Sequence, residues 1–161
     1  MKNVNESQIR EIVQNTLAAY KSDKREMTLA MAERLAEAVR KEAERIGVRA
    51  VVCVSDGAGN PKLVECMDDA YLASYDVAVN KAYTVVALKM STIALKPLAQ
   101  PNASLYGIQF TNGGKIVIFG GGDPLIGANG KIIGGLGVSG GSEEQDTALS
   151  AYGKRYFETQ M

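Results

Sequence analysis

The sequence predicts an α+β fold in which helices cover both faces of a five-stranded antiparallel sheet. Segments of helical periodicity and short apolar runs follow one another in the order ααββα(α)βββα. The apolar runs are separated by turns rich in Gly, Asn, Asp and Pro, as in hairpin-connected sheets. The chain has 161 residues, of which 46% are hydrophobic and 22% charged, so one main domain with a sizeable core is expected.

Residues 1–26 are expected to form a short amphipathic helix and a linker ahead of the main domain, 27–161. Asn5 can cap this helix, and Gln8 can complete a capping box. The charged segment 21–26 then follows as a polar linker. The apolar stripe of the helix consists of Ile9, Ile12, Val13 and Leu17. Its partner is either the main domain, a sister subunit, or a larger assembly to which the helix docks as a peptide.

A second helix and a β-hairpin are predicted to begin the main domain. Thr28 can cap the helix, and Gly47 stands at the C′ position that glycine often takes after a helix. The Val-rich run 48–55 is apolar on both faces, which predicts a central, covered strand. After the turn 56–61, the chain is expected to return as an antiparallel partner over 62–67.

A long central helix is predicted from Asp68 or Asp69, as the N-cap, to about Met90. Its apolar residues recur at helical intervals and are expected to face inward. They are Leu72, Tyr75, Val79, Ala82 and Val86. A shorter helical piece is then expected over 92–97.

Three strands and a last helix are expected to complete the domain. The strands are predicted at 105–110, 115–119 and 131–138. A turn at 112–114 and a bend at 120–124 separate them. Ser142 can cap the last helix, and the acidic residues in its first turn suit the positive end of the helix dipole.

Charge and hydropathy exclude several classes of partner. The 18 basic and 18 acidic residues cancel, and no cluster of cations could drive nucleic-acid binding through counterion release or attract an anionic membrane. No apolar segment approaches the length of a membrane span, and the start lacks the apolar core of a secretory signal. A cytoplasmic location is therefore expected.

The sequence contains no histidine, the commonest metal ligand and the usual acid–base group near neutral pH. Ser-His and Cys-His catalysis and histidine-zinc sites are thus excluded, and no metal site is expected. Cys53 and Cys66 lack metal-binding spacing and are interpreted as buried free thiols. A hairpin register that placed the two cysteines directly opposite each other would nevertheless allow a disulfide.

Most of the 17 glycines lie between residues 113 and 141, where 135–140 reads G-x-G-x-x-G. A dinucleotide site of this type needs a following helix and then a second parallel strand with an acidic residue about 20 residues on. Only one helix is predicted after Gly141, so dinucleotide binding is not expected.

Two glycine segments allow two interpretations each. The consecutive glycines 120–122 cost backbone entropy, so either a ligand, or a helix or neighbouring subunit, must approach them closely. The segment 139–142 stands before a helix N-terminus, where free N–H groups attract anions. The acidic residues that follow would repel an anion, which favours self-capping of the helix.

A catalytic pair of Asp68 and Lys81 is not expected, since about 20 Å of one predicted helix separates them.

Several motifs from the central helix to the last helix occur together. They are Met67-Asp68, Ser74, Lys81, Ala82, Thr84, Leu98-Ala99-Gln100-Pro101, Leu105-Tyr106-Gly107-Ile108, Gly120-Gly121-Gly122-Asp123-Pro124, Gly134-Gly135-Leu136-Gly137-Val138-Ser139-Gly140-Gly141 and Asp146. This combination resembles the GlcG/HbpS family, and within it the PduO C-terminal domain, over about residues 28–157. It is more specific than any single glycine motif.

The resemblance implies a profilin-like α/β/α sandwich around a five-stranded antiparallel sheet, and assembly into homo-oligomers. It also implies binding of haem, a corrinoid or a similar small cofactor. Because the chain has no histidine, an axial ligand to haem iron would have to come from Tyr, Met or Cys. The residues that match the family pattern and are expected at the cofactor site are Gly120, Gly121, Gly122, Asp123, Ser139, Gly140, Gly141, Asp68 and Lys81.

These observations together predict a non-catalytic accessory protein of this family, since the adenosyltransferase domain of PduO is not expected here. The first helix is similar to the encapsulation peptides of microcompartment cargo. Residues 1–20 are therefore expected to bind a shell or cargo protein in the lumen of a propanediol-type bacterial microcompartment. The alternative is a structural or interaction protein without a cofactor, which forms a homo-oligomer and docks to a shell or partner enzyme.

Overall fold

The computed structural model describes residues 5–22 and 26–161, in which helices pack on both faces of a four-stranded antiparallel sheet. The helices are α1 (Glu6–Ser22), α2 (Leu29–Arg45), α3 (Ser74–Leu88), α4 (Thr92–Leu95) and α5 (Glu143–Gln160). The strands are β1 (Val51–Asp56), β2 (Pro61–Cys66), β3 (Gly122–Ile126) and β4 (Ile132–Ser139), in the spatial order β2-β1-β4-β3. The predicted α+β class is confirmed, although the described residues form four strands and not five.

The sheet separates two layers of helices. Val52 and Val54 of the central strand β1 belong to the main core beneath α2 and α5. Val51 and Cys53 alternate with them and pack against α3 on the opposite face. This alternation follows from the two-residue period of a strand, and it confirms that a strand apolar on both faces is covered on both.

The predicted strand at 105–110 is wrong, whereas the chain does turn at 112–114, where Gly113 and Gly114 have positive φ of 66° and 80°. Short 3₁₀ helices form instead at Ile108–Phe110 and Asn112–Gly114. Gly107 and Asn112 both have positive φ, at 89° and 52°, which is incompatible with extended strand backbone. The apolar side chains of residues 105–110 indicate a strand, but the backbone forms short 3₁₀ helices and turns.

The predicted strand at 115–119 is also absent from the structure. The N–H of Val117 donates to the Thr84 hydroxyl of α3 at 3.0 Å, where a strand would pair with a neighbouring backbone. Strand β3 lies instead where a bend was expected, and Pro124 stands opposite Gly135 of β4. Proline is tolerated there because β3 is an edge strand whose outer side needs no N–H donor.

Helix α3 is shorter than predicted and begins at Ser74. Asp68 and Asp69 do not cap it; they lie in a turn, with Asp69 at a φ of 64°. Leu72 and Tyr75, expected on the inward stripe, are 96% and 49% exposed. The buried face of α3 consists of Ser74, Ala78, Lys81, Ala82, Thr84 and Val85.

Three predicted helix caps are confirmed. The Asn5 carboxamide accepts the N–H of Gln8, and the Thr28 hydroxyl accepts the N–H of Met31. At the start of α5, Ser142 and Gln145 form a reciprocal capping box. These caps are local in sequence, and therefore they can be read from residue types alone.

The apolar stripe of α1 is exposed along the part whose side chains are described. Ile9, Ile12 and Val13 are 51%, 59% and 49% exposed. The side chain of Leu17 and residues 23–25 of the predicted linker lie outside the described part of the chain, whereas 21–22 belong to α1 and not to a linker. Within the described residues, no helix is long and apolar enough to cross a membrane.

The hairpin of β1 and β2 does not pair the two cysteines. Cys53 stands opposite Val64, and Cys66 stands opposite Val51. The cysteines are therefore diagonal neighbours, beyond ordinary disulfide geometry, and both are free thiols. Cys53 is buried as predicted, but Cys66 is exposed, since it lies at the end of the edge strand β2. Burial raises the pKa of the Cys53 thiol to about 12, which keeps it protonated and unreactive.

Candidate functional site

The three consecutive glycines are approached by helices of this chain. A Cβ on Gly121 would lie 2.6 Å from the Lys81 Nζ, and Gly121 has a φ of 111°. A Cβ on Gly120 would clash with the hydroxyl of Thr147 on α5. A Cβ on Gly122 would lie 2.9 Å from Thr92 of α4. Of the two interpretations of this bend, close packing of helices is the one that these contacts describe.

The backbone N–H groups around the bend already have partners from side chains. Gly120 donates to the carboxylate of Glu143, and Gly122 donates to the hydroxyl of Thr92, both at 2.9 Å. Hydrogen bonds from Lys96 and from the Gly120 N–H hold the pKa of Glu143 below its usual value. The N–H groups of Gly120 and Gly122 are therefore already bonded to side chains of α5 and α4.

The N-terminus of α5 is likewise capped by its own side chains. The N–H of Gly141 donates to Asp146 Oδ1 at 2.9 Å, and the N–H of Ser142 donates to Gln145 Oε1 at the same distance. Carboxylate and amide oxygens thus occupy positions that an anionic ligand would take. The geometry agrees with self-capping at 139–142.

Lys81 is among the largest fully buried side chains of the described residues. Its ammonium donates to the carbonyl of Val138 at 2.7 Å and to Asp146 Oδ2 at 2.9 Å. It also lies 5.0 Å from the centre of the Phe119 ring. Burial lowers the pKa of Lys81, while the charge and hydrogen bond of Asp146 act in the opposite direction. The ion pair joins α3 to the start of α5.

Asp123 lies on β3 and faces α5. Its Oδ2 accepts a hydrogen bond from the Ser150 hydroxyl at 2.7 Å. Burial raises the pKa of Asp123 above its usual value of 3.8, although the hydrogen bond from Ser150 and the charge of Lys154 partly offset this effect. The ionised carboxylate is therefore held in an environment that disfavours its charge.

Replacing Asp123 with asparagine is expected to raise the free energy of unfolding more at pH 7 than near pH 4. A carboxyl whose pKa is raised by folding stabilises the fold while it is protonated, and this contribution is lost as pH rises from 3.8 through the raised pKa. Urea denaturation of both proteins at the two pH values measures the difference. Asp68→Asn, at an exposed carboxyl, controls for loss of a surface charge. An equal effect of Asp123→Asn at both pH values would contradict the prediction.

The structure brings together only some of the residues predicted for a cofactor site. Lys81, Gly121 and Gly141 meet around Asp146. The Ser139 hydroxyl is buried and donates to Ser74, and Gly140 packs against the backbone of Arg49 and Ala50. Asp68 is exposed in the turn before α3 and does not join this group. Their role in cofactor binding stays a prediction.

Two groups of exposed apolar residues were missed by the sequence analysis. Tyr71 and Leu72 lie in the turn before α3, Tyr75 lies in its first turn, and the three are 73%, 96% and 49% exposed. Tyr106 and Phe110 lie on the irregular segment before β3 and are 63% and 81% exposed. Helical spacing alone placed Leu72 and Tyr75 inside, and apolar composition placed the second group in a strand. The sequence carried no signal for the actual start of α3 at Ser74, because the N-cap residue Ala73 has no side chain that can cap the helix.

A surface cleft of about 470 Å³ lies beside the first of these groups. Arg49, Asp69 and Tyr71 line it, together with the capped start of α5. Within residues 5–22 and 26–161, no group of three or more Cys, Asp or Glu side chains could hold a metal ion.

A family model for haem-degrading, HbpS-like proteins matches residues 27–154. This chain belongs to the HbpS-like family. The match covers the sheet and all but the last turns of α5, and it begins after α1. The family resemblance inferred from the glycine and central-helix motifs is confirmed.

Two relatives of this HbpS-like chain differ in how much of their length they share with it. An uncharacterized 15.0 kDa protein in the dhaT-dhaS intergenic region of Citrobacter freundii is 50% identical over 124 residues, which are 77% of this chain and 87% of that protein. The corrinoid adenosyltransferase PduO of Salmonella typhimurium is 40% identical over 148 residues, which cover 88% of this chain but 44% of PduO. The chain therefore spans less than half of PduO.

The HbpS-like fold also occurs in a solved complex with a ligand. The crystal structure of a PduOC:heme complex superposes with a TM-score of 0.77 at 38% identity, over 81% of this chain and 94% of that chain. The family model and this complex both associate the fold with haem.

Proposed function

We propose that this protein is a non-catalytic accessory protein that binds a haem-type tetrapyrrole. The observation that carries the proposal is the PduOC:heme complex, whose polypeptide is 38% identical to this chain and shares its fold. The buried Lys81–Asp146 pair is enclosed in the core and makes structural hydrogen bonds, so the proposal gives this pair a structural role. A corrinoid, which is also a tetrapyrrole-derived ligand, is the other cofactor expected from the resemblance.

The donor groups on the surface fit a haem-type ligand without histidine. Tyrosine and thiolate side chains both ligate haem iron in proteins. Among the described residues, the exposed side chains of this kind are Tyr71, Tyr75, Tyr106 and Cys66. Tyr71 and Tyr106 each have a large exposed apolar neighbour, Leu72 and Phe110, against which a flat ring can lie. When bound, haem supplies a redox-active iron and a strong visible absorption.

Titration of the full chain with haemin is expected to give saturable binding with a shifted Soret band. The exposed donors and apolar side chains bind the porphyrin more strongly than water does, because its ring is apolar. Absorbance spectroscopy follows the titration, and cobalamin is titrated in parallel under the same conditions. If only cobalamin gives saturable binding, the proposed ligand is a corrinoid and not haem. If neither ligand gives saturable binding, the cofactor proposal is wrong.

A second candidate function is docking to a protein assembly through α1. The exposed stripe of Ile9, Ile12 and Val13 favours it, since an amphipathic helix of this kind gains stability when its apolar face is covered. In this proposal the protein forms a homo-oligomer, and residues 1–20 dock it to a shell or cargo protein in the lumen of a bacterial microcompartment.

Fusion of residues 1–20 to a fluorescent protein is expected to produce foci in cells that contain intact propanediol-type microcompartments. The control replaces Ile9, Ile12 and Val13 by serine, which removes the apolar stripe and is expected to make the fluorescence diffuse. Fluorescence microscopy of both fusions, with and without shell proteins, measures the effect. Diffuse fluorescence of the unchanged fusion beside intact shells would count against docking.

A further inference from the structure

The connection between β2 and α3 presents three large exposed side chains on one short turn. The N–H of Ser74 donates to the carbonyl of Tyr71 at 2.9 Å, and the N–H of Tyr75 donates to the carbonyl of Leu72 at 3.4 Å. These two bonds each span three residues and form successive turns that lead into α3. Tyr71, Leu72 and Tyr75 therefore lie within one short stretch of backbone, and Leu72 is 96% exposed.

This turn borders the cleft of about 470 Å³, and one charged group in the cleft is suited to a carboxylate. Arg49 is exposed and forms no ion pair within the described residues. Asp69 lines the same cleft and would oppose an anion. The start of α5 contributes little, because its N–H groups at Gly141 and Ser142 are already capped. A guanidinium is thus the group in this cleft that binds carboxylates well.

We propose that the surface formed by Tyr71, Leu72, Tyr75 and Arg49, called here the Tyr71 surface, binds the haem-type ligand, with Tyr71 as the ligand to iron. The inference rests on the proposed function and assigns it a place and a ligand. The Tyr71 phenol releases its proton to water as its oxygen binds ferric iron, while Leu72 and Tyr75 contact the apolar ring and Arg49 pairs with a propionate.

Tyr71 is preferred to the other tyrosines for reasons of exposure and neighbours. It is 73% exposed and lines the cleft that contains Arg49, whereas Tyr75 is 49% exposed. The hydroxyl of Tyr83 already donates to Asn112 at 3.2 Å. Tyr106 has an apolar neighbour in Phe110, but it does not line the cleft of Arg49.

Haemin titration of the full chain and of five variants tests this assignment. Tyr71→Phe is expected to abolish the visible charge-transfer band and the electron paramagnetic resonance signal of phenolate-bound ferric haem, and to weaken binding about tenfold. Tyr152→Phe, at a tyrosine that lines a separate cleft beside α2, is the matched control and is expected to bind as the unchanged chain does. Arg49→Ala is expected to weaken binding about two- to fivefold, and Asp69→Asn to strengthen it by a similar factor.

Leu72→Asp and the results of the titration distinguish failure of the Tyr71 assignment from failure of the proposed haem binding. Leu72→Asp is expected to weaken haemin binding while leaving the subunit count, measured by light scattering, unchanged. Retention of the phenolate spectrum in Tyr71→Phe would overturn the assignment while the proposed function stands. If Leu72→Asp alters the subunit count but not haemin binding, the Tyr71 surface is an interface between copies and the inference is wrong. Absence of saturable binding in the unchanged chain would remove the proposed function itself.

Discussion

Replacement of Lys81 by methionine is expected to lower the free energy of unfolding by about 3–5 kcal/mol. The side chain is fully buried, and its ammonium bonds to Asp146 and to the Val138 carbonyl. Methionine fills a similar volume but leaves the 4% exposed Asp146 without its cation. The large cost arises because an unpaired buried charge is far less stable than either a complete pair or none. Urea denaturation followed by circular dichroism measures it.

The surface pair of Lys96 and Glu143 provides the control for this substitution. Its side chains are 43% and 24% exposed, so Lys96→Met is expected to cost less than about 1 kcal/mol. The double variant Lys81→Met/Asp146→Leu removes both buried charges and is expected to recover part of the lost stability. Similar costs for Lys81→Met and Lys96→Met would mean that the buried pair contributes little.

Substitution of Gly137 by alanine is expected to destabilise the fold by about 3 kcal/mol or more, at the upper end for overpacking. The added methyl group would clash with the carbonyl of Ala78 and lie 2.7 Å from the backbone N of Ala82. Both contacts are with the α3 backbone, which cannot move aside as a flexible side chain can. The helix would have to shift away from the sheet. Thermal and urea denaturation measure the loss.

Gly57→Ala is the matched control for this steric argument. The nearest atom to an added Cβ at Gly57 is 3.5 Å away, which is an ordinary contact, and its φ is not in the left-handed region. A change within about 0.5 kcal/mol is therefore expected. Equal denaturation midpoints for Gly137→Ala and the unchanged protein would show that α3 adapts to the methyl group.

The parts of the fold that depend on residues close together along the chain could be predicted from the sequence. The caps at Thr28 and Ser142 and the two-sided burial of β1 follow from local residue types and periodicity. The segment 105–119 could not be assigned in this way. Its backbone conformation depends on contacts with α3, such as the bond from Val117 to Thr84, that local sequence does not display.

The candidate site shows the same division. The glycine pattern correctly indicated a close approach, but it could not show that Lys81, Thr92 and Thr147 make that approach. Those residues are distant from the bend along the chain and meet it only after folding. The exposure of Leu72 depended on where α3 begins, and so an error in placing the N-terminus of the helix changed the inferred surface.

The contacts of Asp146 affect how the protein unfolds. Its two carboxylate oxygens bind the Lys81 ammonium of α3 and the Gly141 N–H, while α5 itself packs in the main core on the other side of the sheet. One side chain therefore joins two layers that would otherwise separate independently. Detachment of the first turn of α5 must expose the buried charge of Lys81, so fraying at this end is coupled to loss of α3 packing. The two layers are thereby expected to unfold as a single cooperative unit.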